Sequence, residues 1–158
     1  MIYFYKMKVL PFKIPKPENV TLYIQEDKGK TFYDKLHQHQ EIQISVILKG
    51  EGTYVIGDCV GDFKPNDLFV LGENLPHVFK SDASPKKEAS MLSLFFTQDS
   101  YGEGFFKLPE FEHLHDFFSG VALGFEILSN KNKLSKLLST INSQTKYQQF
   151  LSFLNIIQ

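Results

Sequence analysis

Residues 37–48 read HQHQEIQISVIL, and their side chains alternate between polar and aliphatic types. Side chains two positions apart on a β-strand point to the same face of the sheet. The polar face is predicted to carry His37, His39, Glu41, Gln43 and Ser45. The opposite face is predicted to carry Ile42, Ile44, Val46 and Leu48. A strand of this kind suits a small β-barrel that holds a ligand or a metal in its lumen.

A third histidine, His77, follows Pro76 about forty residues later. Three imidazoles that converge inside a barrel would suit zinc, iron, nickel or copper, which take nitrogen ligands readily. The usual fourth ligand is a carboxylate, but the position on the same face is Gln43, whose neutral amide oxygen is a poorer ligand. Glu41 is the alternative carboxylate. The pattern leaves open whether this face lines a pocket or faces solvent.

The chain around this stretch has the density of short strands and turns that is typical of a sandwich or a barrel. Alternation from Val20 to Gln25 predicts a half-buried strand, and Gly50-Glu51-Gly52 predicts a hairpin into a strand at 53–56. Further short strands, separated by turn residues, are predicted at 68–71, 77–79 and 91–96.

From about residue 103 the apolar side chains recur with the helical period. Pro109 suits the first turn of one helix, and two further apolar stripes run from Leu134 to Ile141 and from Tyr147 to Leu154. We therefore expect a barrel at 1–100 and a helical region at 101–158. The last helical pattern reaches Gln158 without a capping glycine, which predicts a chain cut at a domain boundary.

Composition narrows the classes of function. A net charge of −1 gives no basic face for nucleic acid. The single cysteine, Cys59, excludes an internal disulfide and fits a reducing compartment. A signal peptide and an apolar run of about 20 residues, the length of a membrane span, are both lacking. The expectation is a cytoplasmic chain without membrane contact. No nucleophile elbow, phosphate loop or Ser-His-Asp set indicates a catalytic residue.

Four segments carry a resemblance to a known family, and they are His37–Gln43, Ile47–Thr53, Phe63–Leu68 and Leu75–Phe79. They resemble the motifs of cupins, and more narrowly the N-terminal cupin-type sensor and dimerisation domain of AraC-family transcriptional regulators. The resemblance runs from about residue 8 to residue 97, and the later helices resemble the dimerisation helices of those proteins. It implies a mainly β fold with C-terminal helices, in which a jelly-roll-like double-stranded β-helix precedes a helical dimerisation arm.

The family motifs match this chain position by position. The first motif's histidines match His37 and His39, and the second motif's histidine matches His77. The motif's glutamate ligand falls on Gln43, which favours sensing over metal chemistry. The proline-glycine-aspartate turn is present as residues 65–67 with asparagine in the glycine place, and asparagine also tolerates left-handed backbone angles.

The resemblance implies a small-molecule effector in the lumen and a homodimer formed through the C-terminal helices. DNA would be bound only by a further domain beyond residue 158. The expected ligand-binding residues are His37, His39, Glu41, Gln43, Tyr54, Phe69 and His77. Polar groups would bind the effector, and Tyr54 and Phe69 would supply apolar walls. The domain is expected not to be an enzyme and to need no cofactor.

Two other interpretations stay open. One is a stand-alone metal-dependent cupin enzyme, a dioxygenase or an isomerase, with His37, His39 and His77 as ligands to a divalent transition metal. The other is a sugar-binding or purely dimerising domain without a regulated effector.

Overall fold

The chain forms ten strands followed or interrupted by three α-helices, in a computed structural model that describes residues 8–82 and 88–158. The strands are β1 (Leu10–Pro11), β2 (Tyr23–Gly29), β3 (His37–Gln38), β4 (Ile42–Lys49), β5 (Gly52–Ile56), β6 (Cys59–Phe63), β7 (Leu68–Leu71), β8 (His77–Ser81), β9 (Ala89–Phe96) and β10 (Phe125–Ile127). The helices are α1 (His115–Val121), α2 (Lys131–Thr140) and α3 (Lys146–Ile157). The expectation of a mainly β chain with C-terminal helices is confirmed.

The strands make two five-stranded sheets in the described part of the chain, rather than one closed barrel. The first sheet has the order β1-β3-β8-β5-β6 and the second has the order β10-β7-β4-β9-β2. All pairs are antiparallel except β1 with β3. Aromatic and aliphatic side chains from both sheets, among them Ile47, Phe69, Phe63 and Phe79, share one buried cluster. The sheets therefore face each other as in a jelly roll.

The predicted hairpin at Gly50–Gly52 is wrong. Strand β4 pairs with β7 and β9, whereas β5 pairs with β6 and β8, so the glycine link carries the chain from one sheet to the other. Gly50 has a positive φ of 94°, and Gly52 lies so close to the backbone of Lys80 that a side chain would collide with it. The glycines are needed for this crossing and not for a hairpin turn.

The outer face of the second sheet packs against the C-terminal helices. Ile42, Ile44 and Val46 of β4 are buried there together with Phe153 and Ile156 of α3. The first predicted helix begins as a 3-10 turn at Pro109–Leu114 and becomes α-helical at His115. Both faces of β4 are therefore covered, and the interpretation of its polar face as solvent-exposed is wrong.

Helix α3 begins with a capping box, in which Thr145 accepts from the backbone of Gln148. The helix was predicted, but its buried face is rotated from the predicted stripe. Phe153, Ile156 and Ile157 are buried, whereas Tyr147 and Leu151 of the predicted stripe are exposed.

Strand β10 was not predicted, and it ties the C-terminal region to the second sheet. It pairs with β7, opposite Leu68 to Val70. Beside it, Lys131 at the start of α2 contacts Asp67 at 2.7 Å and Glu126 at 2.9 Å. Among the described helices, none is long and apolar enough to cross a membrane.

Candidate ligand-binding site

Three histidines meet at one end of the space between the two sheets. His37 of β3 stands directly opposite His77 of β8 in the ladder, and His39 follows β3 where the chain crosses to β4. The ring centroids of His37 and His77 are 4.3 Å apart, and those of His39 and His77 are 5.0 Å apart. One ring nitrogen from each residue lies within 4.8 Å of the other two.

Backbone carbonyls hold two of the three rings in a defined tautomer. Nδ1 of His37 donates to the carbonyl of Lys35 at 2.8 Å, and Nδ1 of His77 donates to the carbonyl of Leu75 at 2.8 Å. A carbonyl oxygen can only accept, so the proton must be on Nδ1 in both rings. Nε2 of each neutral ring is left with a lone pair.

Gln43 orients the third ring. Its Oε1 lies 3.0 Å from Nε2 of His39, and its Nε2 donates to the hydroxyls of Ser45 at 2.8 Å and Ser93 at 3.3 Å. The two serine hydroxyls are 2.7 Å apart. Gln43 is thus a buried and fully paired residue, and in this arrangement His39 donates from Nε2 and has a lone pair on Nδ1.

All three imidazoles are held in the neutral form. Burial, together with the adjacent His37, lowers the pKa of His77 to about 3. Burial also lowers the pKa of His37, and it lowers the pKa of His39 against the opposing effects of Gln43 and Glu41. Only 1% of His77 and 4% of His39 is exposed. Desolvation disfavours the charged ring, so the site presents lone pairs rather than positive charge.

The histidines line a cavity of about 200 Å³ that is open on one side, where its lining residues are exposed. Its lining residues are Phe12, Ile14, Gln25, Asp27, Lys28, Thr31, Phe32, Tyr33, His37, His39, Gln43, His77, Phe79, Met91 and Phe95. Four of the seven residues expected from the sequence are among them. A pocket with apolar walls and a few convergent polar groups is the usual form of a small-molecule site.

The other three expected residues lie next to the cavity and do not line it. Tyr54 and Phe69 pack behind Phe79, with ring centroids 5.0 Å apart from each other and Phe69 5.2 Å from Phe79. Glu41 borders a separate surface depression, and its Oε2 is 3.7 Å from Nδ1 of His39. This distance is too long for a hydrogen bond.

Several lining residues were missed from the sequence. Phe12 and Tyr33 come from loop segments and pack against His37 with ring centroids 5.2 Å and 5.0 Å away. Phe95 packs edge-on against His39 at 5.5 Å. Gln25 had a usable signal, because it alternates with Leu22 and Ile24 and must therefore face away from them. Phe79 had another, because it lies two positions after His77 on a predicted strand.

Buried polar atoms without a partner are concentrated in this cavity. Across residues 8–82 and 88–158, three buried side-chain polar atoms have no hydrogen-bond partner in the protein, and they are Gln25 Oε1, His39 Nδ1 and His77 Nε2. All three residues line the cavity. An unpaired buried polar atom is costly, so a cluster of them indicates a place where a ligand completes the hydrogen bonding.

A larger depression of about 1040 Å³ lies over Phe106, Phe111 and Phe118. It is open to solvent, and its Glu112 and His115 are exposed. The smaller cavity is the better candidate because its polar groups are buried and converge.

Known proteins bear on this site through their families. No curated protein matches the chain. A variant of Bacillus subtilis oxalate decarboxylase is similar over 49% of this chain and 22% of its own, with 21% identity and a TM-score of 0.43. A cupin 2 conserved barrel domain protein from Rhodopseudomonas palustris is similar over 53% of this chain and 57% of its own, with 16% identity and a TM-score of 0.41.

This chain therefore spans about a fifth of the length of the oxalate decarboxylase, and likenesses this distant do not indicate a shared activity. The family of AraC-like ligand binding domains matches residues 19–97, which is half of the chain and contains all three histidines. The chain belongs to the AraC-like ligand-binding domain family.

Proposed function

We propose that this chain is the effector-sensing and dimerisation domain of a transcriptional regulator, and that it binds a small molecule in the histidine-lined cavity. The observation that carries the proposal is the cavity of about 200 Å³ whose lining residues carry unpaired buried polar atoms, inside a domain of a ligand-binding family. The polar atoms would fix the orientation of the effector, and the aromatic walls would bury its apolar part.

The proposed binding residues differ in their roles. His37, His39 and His77 would contact the effector directly, and Gln43 would hold His39 in place. The remaining expected residues would act from behind the cavity wall, since Tyr54 and Phe69 support Phe79 and Glu41 stands beside His39. No catalytic step is proposed for this chain.

The signal would pass to the C-terminal helices. Tyr147 and Leu151 are exposed on α3, and Leu154 beside them is half-buried, which leaves an apolar strip suited to a second copy of the chain. A DNA-binding domain following residue 158 would respond to a change in that dimer. An effector can shift the dimer only by binding one of its arrangements better than the other.

The first test is a thermal-shift screen of a small-molecule library on the purified chain and on a His77→Phe variant. We expect compounds that raise the melting temperature of the chain and lose their effect in the variant. A binder that is equally effective on both proteins would place binding elsewhere. A screen without any binder would contradict the sensing role.

The second test addresses dimerisation by sedimentation. Leu151→Glu should convert the dimer to a monomer, because it puts a charge in the apolar strip. Leu128→Glu is the matched control, since Leu128 is also exposed but lies outside α3. A chain that is monomeric before any substitution would overturn this part of the proposal.

A metal-dependent cupin enzyme, a dioxygenase or an isomerase, is the second candidate, and one observation favours it. The nitrogens of His37, His39 and His77 lie close enough together to share an ion. His37 and His77 also donate their other ring nitrogen to a carbonyl, as metal-bound histidines usually do. These three residues would hold a divalent transition metal, which would supply Lewis-acid chemistry.

Metal analysis of the purified chain tests this candidate. About one equivalent of zinc, iron, nickel or copper that is lost in His39→Ala would favour the enzyme. A chain that takes up none of these ions from metal-supplemented buffer would exclude it.

A further inference from the structure

The cavity presents hydrogen-bond acceptors at its buried end. Nε2 of His37 and of His77 carry lone pairs because both Nδ1 atoms donate to carbonyls. His39 is paired with Gln43 through Nε2, and its Nδ1 lies beside the carboxylate of Glu41, 3.7 Å from Oε2. Of the two lone-pair atoms on His37 and His77, Nε2 of His77 is buried without a partner in the protein.

Gln25 adds a third acceptor, and its orientation is fixed by its hydrogen bond to Asp27. Its Nε2 donates to Oδ1 of Asp27 at 2.6 Å. A carboxylate only accepts, so the amide nitrogen must face Asp27 and the amide oxygen must point the other way. That oxygen is the buried, unpaired Oε1 that lines the cavity.

Three lining residues with further donor groups are exposed. Lys28 is exposed and contacts Glu26 at 3.0 Å, and Thr31 and Tyr33 are exposed as well. The cavity therefore offers three acceptors, on His37, His77 and Gln25, and its walls include aromatic rings such as Phe12, Phe32 and Phe95. Aromatic faces attract cations.

We propose that the effector binds in the cavity through a cationic nitrogen group that donates hydrogen bonds and accepts none. An amidinium, a guanidinium and a primary ammonium are groups of this class. This inference rests on the proposed sensing function and names the chemical class of its ligand. The N–H groups of such a cation can donate to the three acceptors, and the cation has no lone pair of its own to leave unsatisfied.

Other classes of ligand fit the same atoms less well. A carboxylate or phosphate would bring more lone pairs against those of Gln25 and the histidines, with no buried cation to meet them. A hydroxyl group can donate once but carries two acceptor lone pairs, which would be buried among other acceptors.

Calorimetric titration with phenyl compounds of matched size tests this inference on the metal-free chain. The cationic probes are benzamidinium and benzylammonium, and the comparison probes are benzyl alcohol and benzoate. We expect one equivalent of each cation to bind, with a Kd at least about tenfold lower than that of either comparison probe, because hydrogen bonds to charged groups are the stronger ones.

Variants locate the binding. Gln25→Leu replaces one acceptor with an apolar side chain of similar size, and it should raise the Kd of benzamidinium about tenfold. Gln40→Leu makes the same change at an exposed glutamine outside this cavity, and it should leave the Kd unchanged. His77→Phe should also weaken binding, and it keeps the test decisive if Gln25→Leu does not fold.

The outcomes separate the two proposals. The cationic class would be overturned if benzoate or benzyl alcohol bound as tightly as the cations and no longer bound to His77→Phe. That result would still support a sensing cavity at the histidines. Zn²⁺ alone binding to the three histidines and excluding benzamidinium would overturn it in favour of the metal site. No binding by any probe would overturn the inference and would also count against the sensing function.

Discussion

The two faces of the second sheet are both buried, but they are built from different chemistry. On the outer face, Ile42, Ile44 and Val46 pack against helices in a cluster made only of apolar side chains. On the inner face, Gln43 and Ser45 belong to a hydrogen-bonded network, and Ile47 joins the aromatic core further along. Burial on the outer face therefore joins the sheet to the helices, whereas burial on the inner face places polar groups beside the cavity proposed for the effector.

The largest effect is expected on the outer face. Phe153 is 0% exposed and packs edge-on against Phe96 at 4.6 Å. Phe153→Ala should lower the free energy of unfolding by about 4 kcal/mol, because it leaves a cavity in the apolar cluster. Urea unfolding followed by circular dichroism measures this. Tyr147→Ala on the same helix is the control, with an expected change below about 0.5 kcal/mol since Tyr147 is 69% exposed. Equal losses of unfolding free energy in both variants would contradict the stabilising role of the outer face.

At the cavity beside the inner face, His77 should make the free energy of unfolding depend on pH. The pKa of His77 falls from the ordinary 6.5 to about 3 in the folded chain, so between these values the unfolded chain binds the extra proton. The stabilising contribution is present above pH 6.5 and is lost as pH falls toward 3, with a slope of about 1.4 kcal/mol per pH unit. The measurement is urea unfolding of the metal-free chain at several pH values.

His77→Phe should flatten this pH profile relative to the unmodified chain. His113→Gln, a change at an exposed histidine of the C-terminal region, should keep the original slope. Parallel profiles for the chain and His77→Phe would contradict the buried neutral state of this ring.

A smaller effect is expected from the polar network. Ser45→Ala removes a hydroxyl that contacts both Gln43 at 2.8 Å and Ser93 at 2.7 Å. We expect a loss of about 1–2 kcal/mol in the free energy of unfolding, because buried polar groups lose a partner. Ser139→Ala in α2 is the exposed control and should cost less than about 0.5 kcal/mol. A more stable Ser45→Ala chain would mean that this network serves binding alone.

The smallest effect concerns the connection between β7, β10 and α2. Lys131→Met removes the contacts to Asp67 and Glu126 and should cost about 1 kcal/mol or less, since the lysine is partly exposed. The loss should shrink in high salt, which screens exposed charges. Lys133→Met on the same helix is the control, and an equal loss there would show that the two contacts contribute little. Thermal unfolding at low and high salt measures both variants.

Much of the fold could be predicted from local sequence patterns. The alternation from His37 to Leu48 indicated both faces of β4, and the turn at 65–67 keeps its form because Asn66 adopts a positive φ of 74°. The pairing of β5 could not be predicted, because a glycine link looks the same whether it turns a hairpin or crosses between sheets. Strand β10 is three residues long, and its pattern was too short to distinguish from a loop.

The site could be predicted only where its residues share a strand or a motif. His37, His39, Gln43 and His77 were found in this way, and the structure places all four on one cavity. Phe12 and Tyr33 could not be found, because they reach His37 from loops whose position depends on tertiary packing. The rotation of α3 was missed because apolar side chains surround much of that helix, and the period alone does not tell which of them is buried.

The alternation along β4 has a consequence for how such a domain can diversify. Positions 43 and 45 reach the cavity side, while positions 42, 44 and 46 hold the helices. In the proposed sensing role, substitutions at the odd positions would change which molecule is recognised without repacking the outer cluster. An insertion of a single residue would exchange the two sets and disrupt both. New specificities should therefore arise in this strand by replacement and not by insertion or deletion.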